Sequence, residues 1–346
     1  MKRSRVFVFV LIAFALKSEW HSQSYQIVPH NKIALTPAVN IERRNNIFEY
    51  AIVLTNGVSA QQAVWRFDMI VNCADSLKAV TAPANWEYHV FPVHGTLEWT
   101  AIPMDTVEGY IAPIRVGQSL TGFSFSTAAS PGIVTYYAEG DGPIPYFDEG
   151  QATDRVIPGY DDLTPYGPGI VGKTVGPVEP PDLSVMTSIL DTLTSYKHQC
   201  LTLGWLRDDN AHKQDCDDMM KGRDWYKRGE FEKFRNWEPD ESWEFDHDWN
   251  SGIVRVLDRR LDKAKRELTG GDSVRARKDL EIFVMEVEML NNLSKKLEGR
   301  EQKKEFRDQK PIMTSEAYAL LKYNAEYLID RLPERHGKVD ERRGKK

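Results

Sequence analysis

From about residue 25 to residue 147 hydrophobic side chains return at every second position. Phe48, Tyr50, Ile52 and Leu54 alternate with Glu49, Ala51, Val53 and Thr55, the period of a strand with one face buried. The run stops at Asn56-Gly57, a pair that tolerates positive φ and so predicts a hairpin turn. Trp65, Phe67, Met69 and Val71 follow on one face, with Arg66 and Asp68 on the other. The pattern continues through Leu97 to Ile102 and through Phe123 and Phe125. Ile133 to Ala138 is predicted as the last strand, between Pro131-Gly132 and Gly140-Asp141-Gly142. Seven or eight short strands with turn signals between them predict an antiparallel β-sandwich over residues 25–147.

The period then fades. Pro158, Pro165, Pro168, Pro177, Pro180 and Pro181 recur with glycines through residues 148–181, which predicts an extended linker. Beyond it the spacing becomes helical. Asp182 can cap a helix carrying Met186, Leu190, Leu193, Cys200 and Leu203 on one face, ended by Gly204. Ile253, Leu257, Leu261, Ala264 and Leu268 form a second stripe, stopped by Gly270-Gly271. Asp272 can cap a third, with Ala276, Leu280, Phe283, Val287 and Leu290 inward, and a fourth starts near Thr314 and Ser315. The fold class is therefore multidomain, all-β followed by all-α: a sandwich, then an antiparallel helical bundle over 182–332, with an insertion at 205–250 and a charged tail at 333–346.

The series Leu261, Ala264, Leu268, Gly271, Ala276, Leu280, Phe283 and Val287, with Ile312, Ser315, Ala317, Leu321, Ala325 and Leu328 after it, resembles the bacterial FIMAH module. That resemblance implies a helical unit at the C-terminal end of a secreted or surface protein and supplies no active residues. The long stretch 205–250 departs from the family's short first connection. The sandwich resembles Ig-like domains of exported bacterial proteins.

Residues 1–24 read as a secretory signal. Lys2, Arg3 and Arg5 precede an unbroken apolar run from Val6 to Leu16, and Ser22-Gln23-Ser24 offers small residues for cleavage. As a helix that run would rise about 16 Å, against the roughly 30 Å of a bilayer core, so no membrane span is expected after cleavage. The expected location is the periplasm or the medium. Removing residues 1–24 (Lys2, Arg3, Arg5 and Lys17 against Glu19) takes the formal charge from −6 to −9, which argues against nucleic acid as a partner. The expected partner is an extracellular glycan or protein.

No G-x-S-x-G, H-E-x-x-H, P-loop or G-x-G-x-x-G motif is read along the chain, no cofactor is implied, and the chemistry leans away from an enzyme. Within the insertion, from Asp208 to Asn250, fourteen acids stand against seven Lys and Arg, with Trp225, Trp237, Trp243 and Trp249 interleaved. The bland reading is a solvated excursion whose tryptophans pack on the helices. A ligand-binding surface of stacked Trp faces is the alternative, in a secreted hydrolase or carbohydrate-active protein. The acids lack the alternating spacing of a calcium loop. Cys200 and Cys216 form a candidate disulfide, favoured by an oxidising compartment. Separate thiols, or zinc held by His198, Cys200, His212 and Cys216, are the competing readings. Cys73 reads as a buried unpaired thiol, and His89 and His94 as surface residues flanking a turn at Pro92 to Gly95.

Overall fold

A computed structural model describes residues 31–104, 110–141, 169–179, 186–207, 253–300 and 311–333. Among these residues nine strands form two antiparallel sheets. The first sheet runs β1-β2-β7-β4, built from β1 (Leu35–Arg44), β2 (Ile47–Asn56), β7 (Ser119–Thr127) and β4 (Lys78–Thr81). The second runs β5-β6-β3-β8-β9, from β5 (Trp86–Phe91), β6 (Thr96–Ala101), β3 (Val64–Ile70), β8 (Ser130–Gly140) and β9 (Ile170–Val178). Alternating side chains of both sheets meet inside. Tyr50 stacks on Phe125 with centroids 4.5 Å apart, and Trp99 lies edge-on to Phe123 at 5.8 Å. Trp99 is fully buried and its Nε1–H donates to Thr81 O.

The hairpin is not at Asn56-Gly57. Asn45 and Asn46, both with positive φ (49° and 63°), join β1 to β2, as a two-residue turn matched to strand twist requires. Asn56 instead anchors the passage from one sheet to the other. Its buried Nδ2 donates to Gln62 O and Ile114 O, and its Oδ1 accepts from Ala34 N. Pro131-Gly132 is likewise no turn, because it lies within β8 and pairs with Pro177 and Gly176 of β9.

The largest departure is β9 itself, which occupies 170–178 of the stretch predicted as linker. It lacks a two-residue hydrophobic period because small residues are required there. A Cβ on Gly172 would stand 2.4 Å from Tyr136, and one on Gly176 would stand 2.6 Å from Val134.

Four helices follow among the described residues: α1 (Met186–Thr202), α2 (Ile253–Thr269), α3 (Ser273–Arg300) and α4 (Ser315–Ile329). Four of their ends use predicted residues, while Asp182 lies outside the described residues. Gly204 and Gly271 take φ of 71° and 84° after α1 and α2, Asp272 Oδ1 accepts from Arg275 N, and Thr314 Oγ1 accepts from Ala317 N. Arg207 N donates to Ile312 O and Thr314 N to Trp205 O, tying the end of α1 to the start of α4. The fully buried Lys197 of α1 forms an ion pair with Asp258 of α2.

The helices share a hydrophobic core with the sandwich, and α4 is seated on β1 and β8. The contacts fall on the free edge of β1. Val39 N donates to the buried Glu316 Oε1 at 2.7 Å, Tyr323 Oη to Ile41 O at 2.9 Å, and Tyr136 Oη to Leu35 O at 3.3 Å. Pro37, between them, has no N–H to offer. Leu35, Val39 and Ile41 thus each have an outward backbone group taken up on the side away from β2. Phe48 meets Tyr323 edge-on at 5.5 Å, and Arg43 pairs with Asp330 at 2.8 Å.

Candidate binding face

The outer face of the five-stranded sheet concentrates polar chemistry. On β3 the residues that turn away from the core are Arg66, Asp68 and Ile70. The strand register sets Asp68 beside Glu98 on β6 and Tyr137 on β8, and Arg66 beside Glu139. Arg66 clamps Asp68 with two hydrogen bonds, 3.1 Å from Nε and 2.8 Å from Nη2. It also reaches Glu98 at 2.7 Å and Glu139 at 3.6 Å, and its guanidinium lies 5.4 Å from the Tyr137 ring centroid. Tyr137 donates its hydroxyl proton to Glu139 and accepts from Gly169 N.

One guanidinium amid three carboxylates leaves excess negative charge. Burial pushes Asp68 up to about 6, with Arg66 pulling it back and Glu98 and Glu139 pushing it further. Burial and the hydrogen bond to Glu139 together hold the Tyr137 hydroxyl well above its usual range. The net effect on Arg66 is upward, its carboxylate partners outweighing desolvation.

Above this network lies a cleft of about 280 Å³, lined by Arg66, Asp68, Glu98, Phe91 and His94 among others. Phe91 is 40% exposed at its rim. The turn predicted around Pro92 is a short 3₁₀ helix, Pro92–His94, closed by Gly95 at φ 59°. It swings His94 over the cleft, while His89 projects from β5 with Nε2 3.6 Å from Glu87.

The site residues predicted from the sequence do not include those of this cleft. Trp225, Trp237, Trp243, Trp249, His212 and Cys216 lie outside the described residues, as do the signal segment, most of the insertion and the tail. Cys200 is buried on α1, where burial pushes its thiol up to about 12. His198 points outward, 3.8 Å from Asp258, and desolvation with the neighbouring Lys197 lowers its affinity for a proton. Cys73 is a buried free thiol. Among the described residues no group of three or more His, Cys, Asp or Glu could hold a metal ion. No helix among them is long and apolar enough to cross a membrane.

Gly167 to Thr174 reads G-P-G-I-V-G-K-T, the spacing of a phosphate-binding loop, and the motif reading passed over it. Such a loop must open a helix, whereas Gly172, Lys173 and Thr174 lie within β9. There Lys173 Nζ donates to Thr135 Oγ1 across the ladder. From Ile170 onward the string is strand.

No family model and no curated protein matches the chain. Among solved structures, a chain from a type I cohesin–dockerin complex of Clostridium thermocellum is similar at 17% identity. The match covers 42% of this chain and 98% of that one, with a TM-score of 0.22. At that score the superposition transfers neither fold nor partner.

Proposed function

We propose that this is an exported binding protein rather than an enzyme, whose sandwich recognises an extracellular glycan or protein while the helices dock the sandwich in place. The supporting observation is the cleft on the outer sheet face, where a fixed charged network is flanked by the exposed ring of Phe91. Pre-organised polar groups beside an exposed aromatic suit recognition, and the network is locked by its own ion pairs rather than poised to move a proton. In this reading the helices form an antiparallel bundle of the FIMAH kind and the sandwich is Ig-like.

The test uses glycan and peptide arrays probed with the wild type, Thr96→Arg and Phe91→Ala. Both substitutions alter the cleft wall without touching Arg66. Each is expected to weaken a genuine hit about tenfold or more, ~1.4 kcal/mol, with unchanged melting. Hits indifferent to both substitutions overturn the assignment of the face. Turnover of a glycoside, ester or peptide panel that disappears on deleting residues 208–250 overturns the binding role in favour of the hydrolase.

A further inference from the structure

The sheet edges are treated unequally. The free edge of β1 is sealed by Glu316, Tyr323 and Tyr136, and β9 packs beside β1 and α4. β4 is only four residues long, is broken by Ala79 at φ 49°, and shifts register against β7 between Lys78 and Thr81. Among the described residues the edge of β5 is neither sealed by side chains nor broken in register. It runs six residues in unbroken register with β6 and exposes Tyr88 (44%), His89 and Phe91, with Val93 (93%) just beyond. A long open edge with exposed aromatics is a template for another strand.

The direction of its free groups follows from one hydrogen bond. Ile102 N donates to Asn85 O, so by antiparallel alternation Glu87, His89 and Phe91 bond to β6. The backbone groups of Trp86, Tyr88 and Val90 therefore face outward, and Trp86 N–H is indeed spent on Pro83 O instead of β6.

We propose that this edge pairs with β5 of a second copy of the chain, antiparallel about a twofold axis at Tyr88. In that register Tyr88 exchanges both backbone hydrogen bonds with its own copy. Val90 N–H donates to Trp86 C=O of the other chain, and the reverse happens by symmetry. The next positions, Glu87 and the second copy's His89, become a non-hydrogen-bonded pair, the type in which side chains approach most closely. Each interface then carries two Glu–His pairs of complementary chemistry. Shifting the axis to His89 would set imidazole against imidazole and Glu87 against Phe91, and loses that match. The Tyr88 pairing joins two five-stranded sheets into one, with both clefts on one continuous outer face.

Sedimentation equilibrium and amide exchange of the full chain test this, with three variants. Tyr88→Pro removes a donor that β6 does not use, so the β5–β6 ladder survives. The expected wild type is a concentration-dependent dimer in which the amides of Tyr88 and Val90 exchange slowly. Tyr88→Pro should be monomeric, with its Val90 amide exchanging fast and its melting otherwise retained. His89→Glu sets acid against acid and should weaken the dimer about tenfold or more, and adding Glu87→Lys should restore it. A wild type that is monomeric throughout, a Tyr88→Pro dimer as tight as wild type, or an indifferent His89→Glu overturns the proposal. So does a monomer whose β5 amides gain protection from an unrelated extended peptide, which would give the edge to a foreign strand.

Discussion

Glu286 stands where α3 meets α2. Its Oε1 takes Arg260 Nε at 3.0 Å, while its Oε2 is buried without a hydrogen-bond partner. Burial is the largest influence on it, Asp279 adds to that, and Arg260 only partly compensates, so its carboxyl is pushed from 4.5 to about 7. The folded state thus holds this proton more tightly than the unfolded chain does. The stability it contributes is complete below about pH 4.5 and is lost as the pH rises towards 7. Asp68, raised to about 6, contributes a slope of the same sign over a narrower window. Glu286→Gln keeps the shape of the neutral acid and cannot ionise. Its melting temperature relative to wild type is therefore expected to climb between pH 4.5 and 7, and parallel thermal melts across that range check it. A difference that stays flat would show that Arg260 neutralises the carboxylate in full.

Strand β9 shows what a pattern of alternating residues can and cannot reveal. β2 is legible because Phe48, Tyr50, Ile52 and Leu54 all reach the core. β9 fills the same kind of position with Gly172 and Gly176, since the volume above them belongs to Tyr136, Val134 and Met69. Its partner strand supplies the side chains, so its own sequence looks like a linker. Gly172→Ala should force Tyr136 aside and strain its bond to Leu35 O. A loss of about 1–3 kcal/mol in denaturant unfolding is expected, and an unchanged midpoint would place the ring elsewhere. The candidate face was half legible for a related reason. The outward turn of Arg66 and Asp68 follows from the period of β3, but Glu98, Glu139 and Tyr137 join them only through strand pairing across the sheet. The helices, whose stripes and caps are local, were more legible, although Leu203, placed on the apolar face of α1, lies past its end and is exposed, and the buried Ile189 and Lys197 were missed.

The whole molecule is held together by α4 as much as by either sheet. If the sandwich and helices were autonomous, a chain cut after residue 179 would melt where the intact protein does. That cut would leave Val39 N–H and Ile41 C=O without Glu316 and Tyr323, and would uncover Phe48. Water can replace those two hydrogen bonds, but the apolar area uncovered costs roughly 25 cal/mol per Å², so the fragment is expected to keep its β signal by circular dichroism yet melt about 5 °C or more below the intact chain. Coincident melting would restore the autonomous sandwich.

That same seal sets an order in time. Val39 waits for a residue 277 positions further along the chain. At roughly 5–20 residues per second of synthesis, the first strand emerges tens of seconds before the helix that closes its edge exists. A polypeptide folding as it emerges would carry an open, pairing-competent margin for that whole interval, and every prematurely terminated product would carry it permanently. A helix made near the end of the chain finishes a strand made near its beginning.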